Sequence, residues 1–105
     1  MTEDTRLLIE RVSALLEDSA GDVEGTLTDG YARALTLEAE RVRLERRFAE
    51  ISSALADDLG SERLPELRSL RQRIIRTDEE LSQLRSMLAL VRKRIPMPSI
   101  AAAER

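Results

Sequence analysis

With 105 residues, a formal net charge of −3 and 35% charged side chains, the chain has the size of one small domain with much surface per residue. It is mildly acidic and shows no obvious clustered basic face, which speaks against nucleic-acid binding, where cations must neutralise phosphates. It has no cysteine and no histidine, which excludes disulfides, zinc sites built on those residues and catalysis by imidazole.

The first helix is predicted over residues 3–20. Thr2 can cap it, and Glu3 and Asp4 fall in the first turn, where negative charge complements the helix dipole. Leu8, Val12 and Leu15 recur at helical spacing, Leu7, Ile9 and Leu16 widen the stripe, and Gly21 suits the position just past the end. The stretch GDVEGTLTDG that follows holds three glycines in ten residues and reads as a linker. Within it Thr26 and Asp29 have the spacing of a capping box, so the second helix is expected over about residues 27–58.

The apolar stripe of that helix is Ala34, Leu37, Arg41, Leu44, Phe48, Ile51 and Leu55, alternating three and four, with Leu35, Val42 and Ala49 beside it. The third helix is expected over residues 62–95. Pro65 fits its first turn, where a missing N–H has no partner to lose. Leu67, Leu70, Ile74, Thr77, Leu81, Leu84, Leu88, Val91 and Ile95 then form the longest 4-3 repeat of the chain. Pro-Met-Pro at 96–98 stops it, and residues 96–105 are expected to be a flexible tail.

These elements predict an all-α domain over residues 1–95: a short N-terminal helix and a long antiparallel two-helix hairpin, coiled-coil-like. Its short connection folds the second and third helices back on each other. A turn at Leu59–Glu62 pairs Leu55 with Leu67, Ile51 with Leu70, Phe48 with Ile74 and Leu44 with Thr77 or Asp78. Arg41, the odd member of the stripe, then falls near Asp78 or Leu81, and a salt bridge with Asp78 is expected. The first helix is long enough to cover only residues 27–45 and 80–95. The rest of the hairpin would project bare, and two helices alone bury little surface. A homodimer completing the bundle is therefore expected.

The arginines of the projecting half, Arg41, Arg43, Arg46 and Arg47 with Arg68, Arg71, Arg73 and Arg76, are interleaved with carboxylates and read as a salt-bridged solvated surface. No inward carboxylate cluster is evident, so no enzyme, cofactor or metal is expected. The acidic start is unlike a signal peptide, and no apolar run reaches the ~20 residues of a membrane span. A cytoplasmic protein is expected. Sixteen arginines against one lysine fit a GC-rich bacterial genome.

Two sets of residues are candidates for function. Phe48, Ile51, Leu55, Leu67, Leu70 and Ile74 form the expected assembly seam. Asp57, Asp58 and Glu62 at the turn form an acidic tip, and negative charge at a helix C-terminus is mildly unfavourable. The tip sequence DDLGSE is similar to the tips of bacterial transcription factors that insert a coiled coil into the RNA polymerase secondary channel. There, tip carboxylates help to hold a catalytic Mg²⁺. That resemblance implies a polymerase-binding regulator, although those factors carry a second domain that this chain is expected to lack.

Residues 70–84, LRQRIIRTDEELSQL, resemble the opening helix of the all-helical chorismate mutases at Leu70, Arg71, Ile74, Asp78, Leu81 and Leu84. The second pocket arginine of that family would fall at Met87 or Leu88, so a pocket for a dianionic substrate is incomplete. In length and hairpin the chain also resembles the helical-hairpin secretion class of actinobacteria. That class has a Trp-x-Gly turn, whereas this chain has no tryptophan and reads Asp58-Leu59-Gly60. The residues themselves point to a non-catalytic protein-binding module, an adaptor or small chaperone-like subunit.

Overall fold

The computed structural model describes residues 1–18, 22–57 and 63–94. Three helices make up the fold, α1 (Glu3–Asp18), α2 (Val23–Asp57) and α3 (Leu64–Arg94), with no strand among the described residues. The second helix has 35 residues and the third 31, so each is about 45–55 Å long. The first has 16. The radius of gyration is 18.7 Å, well above the about 13 Å of a compact chain of this length. The molecule is a rod.

Capping chemistry sets the helix starts. At α1 the Thr2 carbonyl accepts the Arg6 N–H at 3.0 Å and the Thr2 hydroxyl faces the Thr5 N–H at 3.4 Å, as expected of Thr2. At α2 the start differs from the expectation near residue 27. Asp22 caps the helix: its Oδ1 accepts the Gly25 N–H at 2.8 Å and its carbonyl accepts the Thr26 N–H at 3.0 Å. The expected linker is therefore largely helix. One strong cap outweighs the modest penalty of glycine within a helix. Thr26 and Asp29 do not cap. Thr26 is buried, and both bind Arg11 of α1. Pro65 lies in the first turn of α3, as expected.

Antiparallel packing of α2 on α3 follows from four cross-pairs. Tyr31 meets Arg92, Glu38 meets Arg85, Arg41 meets Asp78 and Arg47 meets Glu66. As numbers rise on α2 they fall on α3. The Arg41–Asp78 pair forms as the sequence predicts, with Nη1 to Oδ1 at 2.8 Å.

Two apolar clusters fill the interior. The larger joins Leu8, Val12 and Leu15 of α1 to α2 residues from Leu27 to Leu37 and α3 residues from Leu81 to Val91. The smaller holds Leu44, Ile51 and Leu70, fringed by half-buried Phe48, Leu55, Leu67 and Ile74. Polar groups separate them: the Arg41–Asp78 pair, buried Thr77 and buried Glu80. The first helix covers one half of the rod, and the other half is only two helices thick. At Gly30 the helices approach closely, because a Cβ there would lie 2.5 Å from Leu88 Cδ2.

Candidate functional site

All six predicted seam residues gather in the smaller cluster. Only Ile51 and Leu70 among them are fully buried, with Leu44. Phe48, Leu55, Leu67 and Ile74 stay partly accessible because α1 ends before reaching them. The predicted tip is another matter: Asp58, Glu62 and the side chain of Asp57 lie outside the described residues.

The sequence reading missed two features. The first is a polar network at the start of α1. The Thr2 backbone N–H and hydroxyl both donate to Glu80 Oε1, at 2.9 and 2.6 Å. Arg33 donates to the hydroxyls of Thr5 and Thr2, at 3.0 and 2.8 Å. Burial is the largest single influence on Glu80 and pushes its carboxyl up. Hydrogen bonds from the Thr2 hydroxyl, Thr5 and the Thr2 backbone, with the Arg33 charge, together outweigh it and hold the group below its ordinary value. Glu80 therefore anchors the N-terminus of α1 as a carboxylate, which also favours the helix dipole. Only the distance from residue 2 to residue 80 hides this network from a sequence reading.

The second feature is an open groove of about 750 Å³ between α2 and α3, with no α1 residue in its lining. Tyr31, Leu35 and Ala89 supply apolar surface, and Arg85, Arg92 and Lys93 supply cations. Arg85 pairs with Glu38 at 2.7 Å. Leu35 is 67% exposed and Val42 45%. The flanking positions beside the α2 stripe are thus left uncovered by the chain's own fold.

The chain matches no protein-family model, no curated protein and no solved structure.

Among the described residues no group of three or more acidic side chains is placed to hold a metal ion. None of the described helices is long and apolar enough to cross a membrane. A second basic surface runs along α3, where Arg68, Ser69, Gln72, Arg73 and Arg76 frame a shallow depression. Within it Arg76 donates a long hydrogen bond to Gln72, at 3.4 Å.

Proposed function

We propose that the protein is a non-catalytic, cytoplasmic helical interaction module, an adaptor or small chaperone-like subunit that works by packing a helical face against another protein. One observation carries this reading. Over residues 44–55 and 67–74 the rod is two helices thick, with three buried apolar residues fringed by four half-buried ones. A two-helix pair of this kind buries little surface, so a further helical surface against it is favourable. Val42 and Ile75 beside it, at 45% and 47% exposure, extend the same apolar surface outward. Exposed apolar patches on helices are a common mode of protein recognition.

The test is native sizing and affinity capture of the full chain from an extract of its own cells. It is compared with the double variant Val42→Glu, Ile75→Glu. The expected result is a complex of fixed stoichiometry, with a second copy or with another protein, lost in the variant while its melting temperature is kept. A chain that runs alone in its native extract would overturn the reading.

A further inference from the structure

The α2 helix carries a second repeat beside its buried one. Tyr31, Leu35, Glu38, Val42, Glu45 and Ala49 recur at spacings of four and three. The α3 helix does the same with Arg71, Ile75, Asp78, Ser82, Arg85 and Ala89. A helix carries two adjacent 4-3 repeats when it packs on two sides. Here the two lie on the same side of the hairpin, the side of the groove that α1 does not line. Four of the eight large exposed hydrophobics among the described residues lie in them: Tyr31, Leu35, Val42 and Ile75.

The two repeats differ in size and in charge. On α2, Tyr31, Leu35 and Val42 are large, Ala49 is small, and the charged members are Glu38 and Glu45. On α3, Ser82 and Ala89 are small and exposed, Ile75 is large, and the charged members are Arg71, Asp78 and Arg85, with Arg92 continuing the row. At matching levels Leu35 stands beside Ala89, Val42 beside Ser82, Ala49 beside Ile75 and Glu38 beside Arg85, so large meets small along the face, with one pair of opposite charges, and the face is complementary in shape to itself when turned about a two-fold axis.

We infer that this face is covered by a second copy of the chain, with the two-fold axis parallel to the helices. Each α2 then lies antiparallel on α3 of the other copy, at the level it already has against its own. Within the chain, Tyr31 meets Arg92 and Glu38 meets Arg85. In the pair, Leu35 seats against the partner's Ala89 and Val42 against the partner's Ser82. Glu38 lies between its own Arg85 and the partner's Arg85. Glu45 and Asp78 approach each other across the interface, and each copy holds both near Arg41, at 3.8 and 2.8 Å. The half of the rod beyond α1 becomes a four-helix bundle, and the α1 helices lie on the outside. This assignment rests on the interaction-module reading and names its partner.

Single cysteines report the geometry, because the chain has none of its own. A mixture of Val42→Cys and Ser82→Cys chains should form a disulfide-linked pair on mild oxidation, and neither chain alone should, because like positions lie diagonally across the bundle. In sedimentation the unmodified chain should run at twice 11.9 kDa. Leu35→Glu, at an exposed position, should keep the helical circular dichroism while weakening self-association at least about a hundredfold. A species of 11.9 kDa at every concentration would overturn the inference. So would a dimer that ignores Leu35→Glu and gives no mixed cross-link. If the chain alone is monomeric, but another protein binds it stoichiometrically and Leu35→Glu abolishes that binding, the second-copy assignment fails and the interaction-module reading stands.

Discussion

The backbone N–H of Thr2 and the carboxylate of Glu80 meet at 2.9 Å although 78 positions separate them. This contact ties the start of α1 to the middle of α3 and fixes how far along the rod α1 reaches. The Thr2 hydroxyl adds a second hydrogen bond to the same oxygen at 2.6 Å.

Because its carboxyl is held below the ordinary value of 4.5, Glu80 makes stability depend on pH. Above that value the contribution is complete. As pH falls from there through the lower folded-state value, the unfolded chain holds the proton first and the contribution is lost. Glu80→Gln should lower stability at pH 7 by about 1–2 kcal/mol. The gap to the unmodified chain should shrink in acid. Denaturant titrations at neutral and acid pH check this, and a gap that stays constant would count against the anchor.

Arg41 sits in an otherwise apolar stripe, and its buried Nε has no hydrogen-bond partner. Its ion pair with Asp78 is largely solvent-facing on the acid side, where the side chain is 55% exposed, so the pair is worth little. At a protein concentration low enough to keep the chain monomeric, Arg41→Leu should therefore raise stability, by about 1 kcal/mol, and leave Asp78 hydrated. Urea midpoints measure it. A loss of stability would show that the ion pair outweighs apolar packing at this position.

Gly30→Ala should destabilise, although alanine is the better helix former. The added Cβ would meet Leu88 Cδ2 at 2.5 Å, and Leu88 is only 1% exposed. Overpacking of this kind costs about 1–3 kcal/mol. A thermal melt of the variant decides it, and an unchanged or higher melting temperature would mean that Leu88 yields without cost.

Along the seam, burial ranks the substitutions. Ile51→Ala removes a side chain that is 0% exposed and should cost about 2–4 kcal/mol. Phe48→Ala removes a larger but half-buried side chain and should cost the monomer less, about 1–2 kcal/mol. Measuring both at low protein concentration keeps self-association from masking the difference.

Three structural facts were readable from local pattern. The buried stripe of α1 is Leu8, Val12 and Leu15; the α2–α3 register places Arg41 on Asp78; and Pro65 falls in a first turn. Each follows from the period of a helix and the sign of a charge, which neighbouring residues carry in themselves. The GDVEGTLTDG stretch was misread because glycine count and a Thr–Asp spacing suggested a linker and a cap. Which of several capping residues is used depends on what the helix packed beside it offers. Here Arg11 draws Thr26 and Asp29 into the α1–α2 contact and leaves the cap to Asp22.

The sequence by itself determined the three helices, their buried stripes and the antiparallel hairpin, because amphipathic period and turn chemistry are local properties. Only the tertiary structure decided which flank of the hairpin α1 covers, and hence that Leu35 and Val42 stay exposed. It also brought Thr2, Thr5, Arg33 and Glu80 together. A helix presents every side of itself to its neighbours, and period alone does not say which side a third helix will take. That choice rests on hydrogen bonds between residues far apart in the chain, such as Thr2 with Glu80.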